Sequence, residues 1–281
     1  MECYNVNMIK AAIVYDFDKT LCTKDMQEYS LIPELGYNNP KDFWDEVTEV
    51  TIRNKMDPTS AYLYLLQKKY EEQNEPLTKE LFEKLGRGIV LYPGVESWFK
   101  RINKYGREAG FLIEHYVISS GMYEILSHTS IADEFTKIYA CRYFYDDNKQ
   151  ARWPAQIVNY TTKTQYIFRI NKQVLDVNEE KQLNDYVTPA ERPIPFNRMV
   201  YVADGLTDVP CMKLVKEYGG KSIAVYSQSP DIAKKLIHDG RVNFMMKADY
   251  SEESDMEKTM KKIIDHMKAD AALEEIEGKT D

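Results

Sequence analysis

The chain reads as an α/β protein, a doubly wound, Rossmann-like parallel sheet with a small all-helical cap domain, and three observations predict this. Short, nearly continuous apolar runs recur at residues 11–15, 114–118, 199–203 and 221–225, as strands buried on both faces require. Each run is followed by a turn signal and a helical pattern, so strands alternate with helices. From Thr23 to Val90 that alternation stops, and one helical pattern follows another.

The first run, Ala11-Ala12-Ile13-Val14-Tyr15, ends at a cluster of charges, which therefore falls at the carboxyl end of its strand, where ligands bind in such sheets. In the helical stretch, Asn39-Pro40 supplies an N-cap followed by proline at the first helical position, with Phe43, Val47 and Val50 on one face. Asp57-Pro58 repeats the device ahead of Leu63, Leu66 and Tyr70. Leu77-Thr78 makes a third start, with Leu77 placed to staple Phe82 and Gly86 placed to end the helix. The expected division is a catalytic core of residues 1–22 and 91–281 and a cap of residues 23–90, with hinges at Cys22-Thr23-Lys24 and Leu91-Tyr92-Pro93-Gly94.

Residues 144–197 are the least regular, broken by Pro154, Pro189, Pro193 and Pro195, with a hairpin expected from part of 151–160. A charged helix after Asp249 carries Met256, Met260, Ile263, Ile264 and Met267 at helical spacing and should pack on the core. Residues 274–281 read as a frayed acidic tail.

Composition narrows the function classes. With 281 residues and 43% hydrophobic content the chain can bury a substantial core. The polar start and the lack of a long uncharged apolar run argue against a signal peptide or membrane helix, which makes the cytoplasm the default compartment. The four cysteines, Cys3, Cys22, Cys141 and Cys211, are widely spaced, so neither a disulfide framework nor a thiolate zinc site is indicated. A net charge of −8, with no basic stretch interleaved with aromatics, favours small-molecule chemistry over nucleic-acid binding. Oligomeric state is not legible.

Four features carry chemistry. Asp16-Phe17-Asp18-Lys19-Thr20-Leu21 follows the first strand, and its two aspartates can face one site once the loop curls. One can act as a carboxylate nucleophile and the other can protonate a leaving group; taken alone, the hexapeptide also fits a solvated turn with Thr20 as cap. Asp204-Gly205-Leu206-Thr207-Asp208 follows the third run, and its two carboxylates suit a hard cation such as Mg²⁺, although Asp208 also fits a helix N-cap. Ser119-Ser120-Gly121 ends the second run with hydroxyl and N–H donors suited to phosphoryl oxygens. Lys163 opens a helical pattern, with Lys149 and Lys172 as competitors and Ser120 competing likewise with Ser119.

Taken in order, Asp-x-Asp-x-Thr, a cap-sized insert, a strand-end serine, a lysine and Asp-Gly-x-x-Asp resemble the haloacid dehalogenase superfamily across residues 11–208, in its phosphoserine-phosphatase-like branch. The resemblance implies a Mg²⁺-dependent phosphohydrolase of small phosphate monoesters, with Asp16 forming an aspartyl phosphate and Asp18 serving as acid and base. Ser119 would bind the phosphoryl group, Lys163 would offset charge, and Thr20 would brace the loop. Asp16, Asp18 and Asp204 would ligate Mg²⁺, with Asp208 ligating through water or orienting Lys163. Asp18 directs the reading to phosphoryl transfer, since dehalogenases of the superfamily lack it. A phosphomutase, a phosphotransferase and a non-catalytic ligand-binding member are the alternatives. Glu28 and Arg53 stand where relatives read amino and carboxylate groups, and Tyr29, Tyr37, Phe43 and Trp44 could instead line an apolar cap. His115 and Cys22 read as buried structural residues.

Overall fold

A computed structural model describes residues 8–277, so Cys3, the polar start and the last four residues of the expected tail lie outside it. The first apolar run becomes β1 (Ile9–Tyr15), which is followed by α1 (Leu31–Glu34), α2 (Pro40–Asn54), α3 (Pro58–Glu72), α4 (Lys79–Gly86) and α5 (Val95–Ala109). The chain continues through β2 (Phe111–Met122), α6 (Tyr123–Leu126), β3 (Lys137–Tyr145), β4 (Ala151–Gln156), α7 (Lys163–Lys172) and α8 (Glu180–Asn184). It closes with β5 (Met199–Ala203), α9 (Val209–Glu217), β6 (Lys221–Tyr226), α10 (Asp231–His238), β7 (Phe244–Lys247) and α11 (Asp255–Glu277).

The strands form one seven-stranded sheet in the order β4-β3-β2-β1-β5-β6-β7. All neighbours are parallel except β3 and β4, which form an antiparallel hairpin. Tyr15 at the end of β1 is in register with Val117 of β2 and Val202 of β5. The ends of β1 and β5 therefore lie level with Val117 of β2, and the loops beginning at Asp16 and Asp204 meet Ser119, where the pairing of β2 with β3 becomes irregular before the strand ends at Met122. This is the topological switch point of the sheet, where neighbouring strands depart in opposite directions and open a crevice.

Local rules explain the helices that follow β1. The Asn39 side chain accepts from Lys41 N at 3.1 Å, Asp57 from Ser60 N at 3.0 Å and Thr78 from Leu81 N at 3.3 Å. Phe43, Val47 and Val50 are buried, as are Leu63, Leu66, Tyr70, Leu77 and Phe82. Gly86 is the last residue of α4, as expected, and a Cβ there would come within 2.3 Å of the Ile125 carbonyl oxygen, so glycine also serves the close approach of α4 to α6.

The irregular region differs from expectation. The hairpin partner of β4 is β3, which runs into the stretch read as least regular, and the turn between them places Lys149 in the left-handed region at φ 59°. The helical segment is fastened to this hairpin: Tyr143 Oη donates to the Leu63 carbonyl at 2.6 Å, and Ala151 N donates to the Leu77 carbonyl at 2.8 Å. Met256, Met260, Ile263, Ile264 and Met267 of α11 are buried as expected, and that helix continues through Glu277 in place of fraying at 274. Among the described residues no helix is long and apolar enough to cross a membrane.

Beneath the crevice runs a buried polar chain. Trp98 Nε1 donates to Tyr15 Oη at 2.8 Å, so the Tyr15 hydroxyl proton is directed to His115 Nδ1 at 3.1 Å, and His115 Nε2 donates to Asn103 Oδ1 at 2.9 Å. Burial lowers the His115 pKa from 6.5 to about 3. The unfolded chain therefore binds a proton between about pH 6.5 and 3 that the folded chain does not, and stability falls as pH falls through this window. His115→Gln should abolish a component of about 2 kcal/mol in the loss of stability between pH 7 and 5, read by urea unfolding of both proteins at each pH. Parallel losses in the two proteins would refute this assignment.

Candidate active site

Asp16 is placed by the sheet itself, because its main-chain N–H still bonds the Val202 carbonyl at 2.9 Å after β1 has ended. The loop beyond it curls around the Phe17 carbonyl, which accepts from the N–H groups of Thr20, Leu21 and Cys22 at 3.2, 2.9 and 3.3 Å. Lys19 takes the left-handed conformation at φ 53° to make the turn, and Tyr250 Oη donates to the Thr20 carbonyl at 2.8 Å. The loop is thus braced through main-chain carbonyls. The buried Thr20 hydroxyl has no hydrogen-bond partner, so Thr20 holds the loop through its main chain.

Lys163 reaches the site from the first turn of α7. Asn159 prepares that turn by accepting from Thr161 N and Thr162 N at 3.1 and 2.9 Å, while its carbonyl accepts from Lys163 N at 3.0 Å. The ammonium lies 2.9 Å from Asp16 Oδ1 and 2.7 Å from Asp208 Oδ1, with the side chains of Lys163 and Asp208 almost wholly buried. Its competitors are elsewhere: Lys149 pairs with Glu80, and Lys172 donates to the carbonyls of Leu183 and Asp185.

Asp208 occupies the N-cap position of α9 without capping it. Its carboxylate also accepts from Tyr201 Oη at 2.7 Å and Thr207 Oγ1 at 3.0 Å. It stands behind Lys163, outside the lining of the cavity that Asp16, Asp18, Lys163 and Asp204 share, a position that suits orienting the lysine. Tyr201 was missed because it reads as one more apolar residue of a strand.

That cavity measures ≈ 490 Å³ and is also lined by Ser119, Ser120 and Gly121. Ser119 is buried with its Oγ accepting from Gly121 N at 3.0 Å, whereas Ser120 is half-buried. A Cβ on Gly121 would lie 2.1 Å from the Met26 Cε, so a larger residue there would displace the Met26 side chain. Met26 in turn gives its main-chain N–H to Asp18 Oδ1 at 2.8 Å. Glu28 and Arg53 are not brought to the cavity: Glu28 is half-buried beside Asp25, and Arg53 is exposed in a separate depression with Tyr64 and Lys68. Trp44 lines the cavity, whereas Tyr29, Tyr37 and Phe43 do not.

Crowded carboxylates set the electrostatics. Burial, and next the charge of Asp208, push Asp16 up to about 8 against the opposing pull of Lys163. Burial and Asp208 likewise raise Asp204 to about 6, and burial with Asp25 and Asp16 lifts Asp18 well above the carboxylate range. For Lys163, burial opposes the charge, but Asp16 and Asp208 outweigh it and hold the ammonium above its usual range. Four aspartates line the cavity against two lysines, so without a further cation its buried carboxylates favour their protonated forms.

A magnesium ion fits this donor set. The carboxylates of Asp16 and Asp204 are hard oxygen ligands facing one polar cavity. Mg²⁺ typically takes one or two carboxylates and fills its remaining positions with water and phosphate oxygens. Among the described residues no three acidic, histidine or cysteine side chains group closely enough to hold a metal by themselves.

The fold and the site define an α/β protein with a carboxylate-and-lysine centre at a sheet switch point. The chain belongs to the haloacid dehalogenase-like hydrolase family, whose model it matches over residues 13–213. An uncharacterized protein of Borreliella burgdorferi is 29% identical over 270 residues, covering 85% of this chain and 91% of that protein. Among solved structures, a substrate-bound phosphoserine phosphatase aligns with TM-score 0.54 and 17% identity over 90% of this chain and 97% of its own. A hydrolase of the same family from Salmonella enterica serovar Typhi aligns with TM-score 0.55 and 16% identity over 81% of this chain and 66% of its own. At these identities the structural likenesses speak for the fold.

Replacing Tyr201 with Phe keeps the ring in the core and removes one donor from a buried carboxylate. The expected cost is about 1.5–3 kcal/mol of stability, and it should be non-additive with Asp208→Asn in a double-mutant cycle of urea unfolding. Additive effects would count against the shared bond.

Proposed function

We propose that the protein is a Mg²⁺-dependent phosphomonoesterase acting through an aspartyl phosphate, with residues 23–90 forming a cap over a core of residues 1–22 and 91–281. The observation that carries this reading is the Asp16 carboxylate held 2.9 Å from a buried ammonium in a cavity it shares with Asp18, Ser119 and Asp204. Membership of a hydrolase family supports it.

In this reading Asp16 attacks phosphorus, and the bond from phosphorus to the ester oxygen breaks. Asp18 gives its proton to the departing oxygen; the upward shift of its pKa favours the protonated form this step needs. Asp18 then takes a proton from the water that attacks the acyl phosphate, releasing phosphate and regenerating Asp16. Ser119 donates to a phosphoryl oxygen, and Lys163 offsets the negative charge that nucleophile and substrate bring together. Asp16 and Asp204, with the Asp18 carbonyl, would hold Mg²⁺, which when bound supplies Lewis-acid polarisation of a phosphoryl oxygen.

Asp16→Asn should lower hydrolysis of p-nitrophenyl phosphate by about a thousandfold or more while leaving circular dichroism unchanged. Chelation with EDTA should abolish wild-type activity, and added Mg²⁺ should restore it. A folded Asp16→Asn variant with full activity, or a wild type indifferent to EDTA, would refute the proposal.

A further inference from the structure

The wall of the cavity facing the carboxylates comes from the helical segment and includes Gln27, Trp44, Val47, Pro58 and Tyr62. Gln27 is 3% exposed, and its Nε2 donates to Tyr62 Oη at 3.2 Å, leaving its Oε1 buried with no partner. The indole Nε1 of Trp44 is likewise buried and unpaired, and the Trp44 and Tyr62 rings lie 5.7 Å apart. One unpaired acceptor and one unpaired donor thus belong to a wall of apolar surface and uncharged hydroxyls, Thr48 and Thr59 among them, in which Asp25 is the one carboxylate.

Charge on that side is already spent. Among the described residues lining the cavity the cations are Lys19 and Lys163. Lys19 is paired with Asp25 at 2.6 Å, and Lys163 with Asp16 and Asp208. Arg53, the residue expected to read a carboxylate, opens on a different depression.

Building on the phosphatase reading, we propose that the leaving group is uncharged and polar. It offers an acceptor to Trp44 Nε1 and a donor to Gln27 Oε1, and lays an apolar face along the Trp44 and Tyr62 rings. A heteroaromatic base and a polyol share this chemistry. A carboxylate or a second phosphate on the leaving group would be buried without a cation, and a quaternary ammonium would leave the indole N–H unpaired. Both unpaired atoms are closed to water, so pairing them takes a small outward shift of the helical wall as the ligand enters. Neutral, donor-and-acceptor recognition of this kind discriminates strongly, because the wrong ligand leaves buried polar atoms unsatisfied.

The test is kcat/KM of the Mg²⁺-loaded full chain for p-nitrophenyl phosphate, nucleoside 5′-monophosphates, hexose phosphates, phosphoserine, phosphoglycerate and phosphocholine. The nucleotide or the sugar phosphate should exceed the last three by at least about tenfold, and which of the two leads separates a base from a polyol. In Gln27→Leu and in Trp44→Phe that preference should shrink by about tenfold, and Gln27→Glu should raise phosphocholine relative to the neutral esters. Phosphoserine or phosphoglycerate as the best substrate, or an unchanged preference in the folded variants, would overturn the inference and leave the phosphatase reading intact. Inactivity toward every ester, p-nitrophenyl phosphate included, would overturn that reading and this inference with it.

Discussion

The buried bridge from Lys163 to Asp16 and Asp208 is the interaction on which the rest of the site depends. It joins a strand end, a helix start and the turn after β5, three places separated by 147 and 45 residues along the chain. Taking these charges out of water is expensive, and their attraction repays the cost only because further donors complete the carboxylates. Tyr201 and Thr207 do this for Asp208, and the turn built by Asn159 delivers the lysine in one conformation. Two carboxylates share one ammonium, and Asp204 adds a third carboxylate at the cavity. The same arrangement that orders the site therefore suits a cation among its carboxylates.

Around this centre the chain divides its labour by charge. The strand-end loops supply the ionised groups, whereas the facing helical wall is neutral apart from Asp25, which Lys19 holds. Met26 joins the two sides, giving its N–H to Asp18 and filling the space that Gly121 leaves open. The carboxylate read as the proton donor is thus oriented by main chain from the start of the helical segment. Reactivity and recognition become coupled at that one residue.

Much of this was legible in the sequence because the central strands are buried on both faces and read as continuous apolar runs. The hydrophobic faces of α2 and α3 and their proline-led starts were equally plain. β3 and β4 were obscured by an alternating, aromatic-rich pattern at the edge of the sheet, and β7, Phe-Met-Met-Lys, has too little β preference to stand out. Asp16, Asp18 and Asp204 announced themselves by following strands, but Lys163 had only its order in the chain to distinguish it from Lys149 and Lys172. Long-range placement was beyond reach: spacing did not show that Gly86 lets α4 approach α6, that Tyr201 binds Asp208, or that Arg53 points away. Those facts follow from which helix packs on which strand.

The helical segment is joined to the sheet along two lines. On one, Cys22 and Leu91 form a bridge where the chain leaves and returns. On the other, Tyr143 grips α3, and the Asn159 amide donates to Asp57, the cap of α3, at 3.1 Å. Any movement of the helical segment that widens the cavity strains those bonds. Asn159 also shapes the turn that holds Lys163, so one residue ties the helical segment to the central bridge and a disturbance of either contact is felt at the other.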